Sequence, residues 1–429
     1  MSARLTTTRP PTVMMAGMSS VKGKALGALG ALGAAGALLP LASEFRVARS
    51  QQRYTERWRR VPVESAGRAL LGISFRPRQA EAFGLDPRDS LKTLLGYPFE
   101  VVRLSAYWNR IEPEPGLFDT SELDWQLDAA ERAGKQVIVC LGPVKSFGYP
   151  EYFVPDHRLA APLPEGSLIE QATHPALLAA GIAHVRRLVE RYKDSPAIVA
   201  WQVEHEAVDP LGVEHSWRLS ADFVGEEVAA VRAADPARPV MMNGFLPTST
   251  PVRSMQWWRS RDQGDSLAVA QRLTDTVGID FYPRHAIAGN GRWGLYLDGS
   301  GRPWQRRRWT ETLRWAAAAP GRRVLIAEGQ AEPWEAVTTP PDPRGRVMYS
   351  CPPEQVIRTY NHCMRGFREA GTDPWAYLFW GAEYWLLRLQ HGDPYYLEAF
   401  ARILNHAREG GCLRWRRRRM VAGGDDCIR

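Results

Sequence analysis

Eight short apolar runs alternate with longer amphipathic segments from about residue 69 onward, and this alternation constrains the fold more than any other feature of the chain. Strands that are apolar on both faces are typical of a buried parallel sheet, in which each crossover helix covers the sheet. The predicted strands are 69–75, 100–105, 136–142, 197–203, 239–244, 276–282, 323–329 and 375–381. Eight strand–helix units predict an α/β fold of the (β/α)8 TIM-barrel type, built as a single domain.

Helices are predicted between these strands from apolar residues that recur at helical spacing. The predicted helical segments are 120–135, 175–192, 216–234, 309–318, 353–370 and 394–408. An open doubly wound sheet is the alternative arrangement of the same elements. No G-x-G-x-x-G sequence stands directly between a predicted strand and a predicted helix, so the dinucleotide-binding form of that fold has no support.

The chain divides into four predicted regions: a leader or membrane anchor over 1–44, a linker over 45–64, the barrel over 65–410 and a basic tail over 411–429. Within the leader, four basic residues precede an uncharged stretch of Ala, Gly and Leu over 25–42. A basic segment followed by an apolar one predicts export and an extracytoplasmic location, with an uncleaved anchor favoured over cleavage. A flexible leader on a cytoplasmic protein is the alternative.

The net charge of +8 does not indicate a nucleic-acid partner, because 49 of the 55 basic residues are arginines scattered through the chain. The densest basic run, 414–419, lies in the predicted tail, where it suits a solvated or membrane-surface role.

The five cysteines show no C-x-x-C spacing, so no metal site is predicted. Cys351 with Cys363, or Cys412 with Cys427, could pair if the chain is exported. We expect a monomer.

Polar and aromatic residues stand at the ends of the predicted strands, where a barrel of this type carries its chemistry. They are Arg103, Glu204, His205, Glu206, Asn243, Tyr282, Glu328 and Trp380. Splitting an acetal requires one carboxyl group that protonates the leaving oxygen and an ionised one that attacks or activates water. A separation of about 5–5.5 Å gives retention of configuration, and about 6.5–9.5 Å gives inversion. Glu206 and Glu328 could meet the shorter distance.

Three sequence segments resemble clan A glycoside hydrolases, the retaining (β/α)8 superfamily that contains cellulases, β-mannanases and β-galactosidases. "RLSAYWNRIEPEPGLFDTSELDWQLDAAERAGKQVIV" is similar to their strand-2 to strand-3 segment, and "WQVEHE" to the W-Q-V-[ED]-N-E of the β-galactosidase members. "LIAEGQAEPW" resembles the strand-7 segment that bears the nucleophile. The resemblance runs over roughly residues 69–405.

The resemblance implies a role for each matching residue. Glu206 corresponds to the general acid/base and Glu328 to the nucleophile. Arg103 and Tyr282 correspond to side chains that contact the nucleophile, and Trp380 to the tryptophan beneath the sugar. It implies a carbohydrate substrate and a retaining hydrolase of O-glycosides that needs no cofactor.

One position departs from the family pattern, because His205 stands where the family has an asparagine that binds the sugar 2-hydroxyl. Imidazole can donate the same bond but is longer and titrates near neutral pH. The substrate could therefore sit differently, the pH optimum could shift, or the activity could be lost. The second hypothesis is accordingly a catalytically inactive carbohydrate-binding barrel at the cell envelope.

Further residues are candidates for supporting roles. Glu204 could replace Glu206 as the acid, but we favour Glu206 and expect Glu204 to hold an arginine or Lys145. Glu332 is expected to line the cleft, and Glu383 and Asn243 are predicted to bind substrate. Two long, aromatic-rich loops, 143–174 and 283–308, are predicted cleft walls. The sequence contains no G-x-S-x-G, so it does not support a Ser/His/Asp hydrolase. It also contains no H-E-x-x-H, the motif that would indicate a zinc metalloenzyme.

Overall fold

The computed structural model describes residues 43–49, 53–148, 151–209, 215–260, 262–289, 292–299, 301–335 and 349–407. Within them, eight parallel strands close into a barrel with one strand after another around the ring. The strands are β1 (Leu70–Ser74), β2 (Val101–Ser105), β3 (Gln136–Cys140), β4 (Ile198–Gln202), β5 (Val240–Phe245), β6 (Thr276–Phe281), β7 (Arg323–Gln330) and β8 (Ala376–Trp380). The predicted TIM barrel is confirmed, and each predicted strand overlaps an observed one.

Helices follow the strands and cover the barrel, and several begin with an N-cap side chain or an early proline. They are Pro77–Ala82, Pro87–Leu95, Trp108–Ile111, Ser121–Arg132, Pro175–Tyr192, Ala221–Ala234, Thr250–Ser260, Ser266–Leu273, Pro303–Ala317, Pro353–Glu369, Ala382–Gln390 and 395–407. Asp265, for example, caps its helix by accepting a hydrogen bond from the Ala268 N–H at 2.8 Å. Short 3-10 helices span Glu56–Arg60 and Asp156–Arg158.

The apolar core lies in two layers. Aliphatic side chains and one methionine fill the inside of the barrel, among them Val101, Ile138, Met241 and Leu325. A larger cluster fills the space between the strands and the surrounding helices. Apolar burial of this kind contributes roughly 25 cal/mol for each Å² removed from water, which makes these layers the main source of stability.

The described part of the predicted linker packs as part of the barrel unit instead of forming a free connection. Phe45–Arg49 forms a strand that pairs antiparallel with Trp293–Asp298. The side chains of Tyr54 and Trp58 are buried in the main core cluster. The described residues of the predicted linker thus include a paired strand and two buried rings, because aromatic side chains bury enough apolar surface to dock the segment.

The predicted loop 283–308 also contains regular structure. Arg284–Gly289 and Trp293–Asp298 form an antiparallel pair, and a helix begins at Pro303. In the loop 143–174, Leu168–Ile169 pairs with Arg218–Leu219 in a separate two-stranded sheet. Both predicted walls are therefore partly built from short strands.

The predictions for the leader and the tail fall on residues 1–42 and 408–429, which lie outside the described residues. Among the residues described, no helix is long and apolar enough to cross a membrane. Cys140, Cys351 and Cys363 are buried and unpaired, so a Cys351–Cys363 bridge is absent. Cys412 and Cys427 lie outside the described residues.

Candidate active site

The carboxylate of Glu328 is held at both oxygens near the end of β7. Arg103, on β2, donates from Nη1 to Oε1 at 2.7 Å, and the Tyr282 hydroxyl, just after β6, donates to Oε2 at 2.5 Å. All three side chains are buried. Burial raises the pKa of Glu328 above its usual value, and Arg103 and the Tyr282 hydrogen bond oppose that rise without cancelling it. The two contacts therefore favour an ionised, oriented carboxylate.

Arg103 is itself fixed by neighbouring side chains. Its Nε donates to Gln202 Oε1 at 2.7 Å, and its guanidinium lies 4.1 Å from the ring centroid of Phe147. A planar guanidinium with fixed hydrogen bonds presents its remaining donors in one direction. The positively charged guanidinium of Arg103 is thus held next to the Glu328 carboxylate.

His205 lies beside Glu328 and is bonded to Asn243. Asn243 Nδ2 donates to His205 Nδ1 at 2.9 Å and to Asp280 Oδ2 at 2.6 Å, while Gln202 Nε2 donates to Asn243 Oδ1 at 2.8 Å. Burial, followed by the charges of Arg103 and Lys145, holds the pKa of His205 well below its usual value. The imidazole is therefore neutral, with Nδ1 as the acceptor.

Glu206 follows β4 and occupies a different electrostatic environment from Glu328. Burial is the largest cause that raises its pKa well above the usual range, followed by the negative charge of Asp280, then Glu151 and Glu328. Asp280 lies close enough for its charge to act on Glu206, and burial together with the neighbouring acids raises the pKa of Asp280 as well, so the two carboxyl groups do not readily ionise together. The environment of Glu206 thus favours the protonated acid.

The backbone around the two glutamates after β4 is strained. Glu204 has φ 55° and Glu206 has φ 43°, in the left-handed region that side-chain-bearing residues seldom adopt. Each such residue costs on the order of 1–3 kcal/mol, and it persists only where its surroundings fix it. The strain turns the chain sharply at the barrel mouth.

Glu204 is not a second acid facing the mouth. Its carboxylate accepts the backbone N–H groups of Val144 at 2.9 Å and Lys145 at 2.5 Å. Glu204 thus holds Lys145, one of the two partners expected for it, through the main-chain N–H of that residue. Burial raises the pKa of Glu204 to about 7, and the carboxyl group of Glu227 lies next to it.

Glu383 and Glu332, predicted near the cleft, both bind Arg76. Glu383 accepts from Arg76 Nε at 2.9 Å and Nη2 at 2.6 Å, and Glu332 accepts from Nη1 at 2.8 Å. All three side chains are at most 2% exposed. The carboxylates are thus engaged in a buried ion cluster, and the structure leaves Glu383 no free oxygen pointing to solvent.

Trp380 ends β8 and lies among aromatic side chains at the barrel mouth. It packs edge-on against Phe147, with ring centroids 6.0 Å apart, and the Arg76 guanidinium lies 4.3 Å from its ring centroid. A buried cluster continues through Tyr282 and Phe245, with Trp334 packed against it. These rings form an apolar surface next to the carboxylates.

Sequence reasoning missed three residues of this site. Asp280 lies on β6 two positions before Tyr282, so the same strand periodicity that singled out Tyr282 could have found it. Glu151 and Phe147 come from the loop after β3, and their approach to Glu206 and Arg103 depends on the path of that loop.

Ligand atoms of His205, Asp280 and Glu328 lie within 4.8 Å of one another, a spacing that could hold a metal ion. The Nδ1 atom of His205 accepts from Asn243, and Oε1 of Glu328 accepts from Arg103. A cation would have to displace the Arg103 guanidinium from this carboxylate. The arrangement fits a hydrogen-bonded carboxylate better than a metal centre.

An open cleft of about 360 Å³ lies elsewhere, between the strand Phe45–Arg49 and the helix Pro353–Glu369. Among the described residues that line it are Arg57, Arg284 and Arg358 but only one acid, Glu354. It lacks a pair of carboxylates, so the barrel mouth is the better candidate for acid–base chemistry.

A closed (β/α)8 barrel with carboxylates after β4 and on β7 is the arrangement expected for clan A glycoside hydrolases. The comparisons with known proteins confirm this resemblance. The beta-galactosidase family model of glycoside hydrolase family 42 matches residues 90–219, a range that includes Glu206 but not Glu328.

Among curated relatives, a putative mannan endo-1,4-beta-mannosidase 4 from Arabidopsis thaliana is 26% identical over 232 residues, which cover 49% of this chain and 53% of the relative. Beta-galactosidase BgaB from Geobacillus sp. (strain Y412MC61) is 33% identical over 111 residues, which cover 23% and 16%. The chain thus spans about half of the first relative and about a sixth of the second. A solved GH5_18 structure from Streptomyces cattleya with Manb1-4GlcNAc has a TM-score of 0.47 at 16% identity. The match covers 73% of this chain and 70% of the solved chain.

Proposed function

We propose that this protein is a retaining O-glycoside hydrolase that acts on a β-glycoside or a polysaccharide by double displacement. The observation that carries the proposal is the contrast between two buried carboxyl groups at one barrel mouth. Glu328 is bound by Arg103 and Tyr282, whereas Glu206 is surrounded by other acids. Carboxyl groups whose environments separate their pKa values are suited to the roles of nucleophile and acid.

In the first step, a Glu328 oxygen attacks the anomeric carbon and forms an ester bond. The bond from that carbon to the leaving oxygen breaks, and Glu206 transfers its proton to this oxygen. Arg103 and Tyr282 orient the attacking carboxylate. Retention rests on the resemblance to clan A, because that clan forms a covalent intermediate.

In the second step, Glu206 has become ionised and removes a proton from water. The water oxygen attacks the anomeric carbon, and the ester bond to Glu328 breaks. The sugar is released with its original configuration, and both carboxyl groups return to their starting states. Every proton and electron pair is supplied by the two glutamates and water.

His205, Asn243 and Trp380 are proposed to contact the sugar. With Nδ1 bonded to Asn243, the neutral His205 carries its proton on Nε2, which can donate to a hydroxyl group. The Trp380 ring suits an apolar sugar face. Glu383 is proposed to act on substrate only indirectly, since Arg76 occupies its carboxylate.

Turnover of a panel of aryl β-glycosides tests the activity. We expect the wild-type protein to hydrolyse at least one sugar of the panel and Glu328→Ala to fall to background. Glu112→Gln is a matched control, because Glu112 is a buried acid that binds Trp108 and Arg158, and neither Glu206 nor Glu328 is among its partners in the described part of the chain. Equal background rates for wild type and Glu328→Ala would instead favour a barrel that only binds carbohydrate.

A 2-deoxy-2-fluoro glycosyl fluoride tests the assignment of the nucleophile. Peptide mapping after inactivation should place the sugar on Glu328. An adduct on Glu206 or Glu332 would reassign the nucleophile, and inactivation without any adduct would contradict the covalent mechanism.

An extracytoplasmic location, with an N-terminal anchor, remains a prediction from residues 25–42. Fractionation of cells that express the full chain would test it. Recovery only in the cytosolic fraction would contradict it.

A further inference from the structure

Lys145 and Glu204 join two loops at the barrel mouth through buried hydrogen bonds. Glu204 follows β4, and its carboxylate accepts the N–H groups of Val144 and Lys145 in the loop after β3. In the opposite direction, Lys145 Nζ donates to the carbonyl oxygens of Glu206 at 2.8 Å and Asp209 at 2.9 Å. Each loop thus holds the other, and we call these contacts the Lys145–Glu204 brace.

The brace is isolated from water, since the side chains of Lys145 and Glu204 are fully buried. Two carbonyl oxygens share the ammonium group, and the Tyr152 ring lies 5.5 Å from it. A buried carbonyl that loses its donor cannot be satisfied by bulk water, so a change at Lys145 must be relieved by movement of the peptide.

The peptide that Lys145 holds is the strained one that carries Glu206. The left-handed φ of 43° at Glu206 sets the direction in which its side chain leaves the backbone. The Asp209 N–H donates to the same carbonyl oxygen at 3.1 Å, so the turn is closed from two sides. Strained residues keep their conformation only where neighbours fix it.

We propose that Lys145 is a positioning residue for the general acid/base, acting through the main chain of Glu206. This inference rests on the proposed function. Lys145 does not transfer the proton; it fixes the peptide from which the proton donor projects. Loss of Lys145 should impair the steps that need proton transfer more than the attack by Glu328.

The test compares leaving groups within one series of aryl β-glycosides. The 2,4-dinitrophenolate ion leaves without being protonated, whereas an unsubstituted phenolate must be protonated by the general acid as it leaves. For Lys145→Met, kcat/KM on the phenyl glycoside should fall about 100-fold, and on the dinitrophenyl glycoside less than about fivefold. Azide, which attacks without a general base, should accelerate turnover of the dinitrophenyl substrate and give a glycosyl azide.

Lys135→Met is the matched control. Lys135 is also buried and donates from Nζ to two carbonyl oxygens, those of Tyr97 and Phe99, both at 2.8 Å. It precedes β3, at the opposite end of the barrel from the mouth. Lys135→Met should change both substrates equally and show no azide effect, whatever its cost in stability.

Glu206→Gln in the same series separates this inference from the proposed function. A steep leaving-group dependence in Glu206→Gln but equal losses on both substrates in Lys145→Met would overturn the positioning role alone. No leaving-group dependence in Glu206→Gln, or no turnover by the wild type, would overturn the proposed function and this inference together. If Lys145→Met does not fold, Glu204→Gln leaves one of the two main-chain N–H groups of the brace without an acceptor and must show the same selective loss.

Discussion

Tyr282 donates its hydroxyl hydrogen to Oε2 of Glu328 at 2.5 Å, so the side chain that directly follows β6 fixes the carboxylate carried by β7. Because β6 and β7 are hydrogen-bonded neighbours, the two residues meet at one edge of the mouth. The contact supports an ionised Glu328 in a site that excludes most water.

Tyr282→Phe should lower kcat/KM on aryl glycosides by about 10- to 100-fold, because a hydrogen bond to a charged group contributes about 1.5–3 kcal/mol. The hydrogen bond lowers the pKa of Glu328, so its loss raises that pKa. The acid limb of the pH–rate profile, which requires ionised Glu328, should therefore move to higher pH. Tyr192→Phe, which removes a 2.6 Å bond to Asp124 outside the mouth, should leave the profile in place.

Asp209→Asn should remove a pH dependence of stability between about pH 4 and pH 7. Burial, followed by the charge of Asp265, raises the pKa of Asp209 from 3.8 to about 7. In that window the folded protein binds a proton that the unfolded chain does not, so wild-type stability falls as pH rises, by up to about 1.4 kcal/mol per pH unit. Urea unfolding at pH 5 and pH 7.5 should show the variant gaining on the wild type at the higher pH. A constant difference would contradict the assignment.

Arg76→Met should destabilise the protein by about 3–5 kcal/mol, because it leaves Glu332 and Glu383 buried without their cation. Arg68→Met is the control, since the Arg68 side chain is 93% exposed where it pairs with Asp373. Exposed pairs contribute about 0–1 kcal/mol. Similar urea midpoints for the two variants would show that the buried cluster contributes little.

Gly72→Ala should destabilise the barrel, whereas Gly225→Ala should not. A Cβ at Gly72 would lie 1.9 Å from the Val101 carbonyl oxygen, a backbone atom of β2 that cannot rotate away. At Gly225, within the helix Ala221–Ala234, the nearest atom would be Leu273 Cδ2 at 3.7 Å. Thermal unfolding should show a loss of about 1–3 kcal/mol or more for the first and a gain of about 0.5–1 kcal/mol for the second. Equal effects would contradict the packing at β1 and β2.

The eight strands could be predicted because buried parallel strands leave a local signal, an apolar run bounded by turns. The ends of those runs also identified Arg103, Tyr282 and Glu328, since the carboxyl end of a strand is readable from the chain itself. The segment around Tyr54 and Trp58 was predicted as a linker, because its polar composition hides two aromatic anchors. Whether such anchors find a surface depends on residues far away in the sequence.

The sequence by itself determined the barrel and the order in which its acids reach the mouth, since strand and helix periodicity are local properties. Only the tertiary structure decided what each acid does there. Glu204 and Glu206 are two residues apart, yet one accepts main-chain N–H groups and the other faces Asp280. That difference depends on which loops fold over each side chain, and charge environments of this kind are set by neighbours distant along the chain.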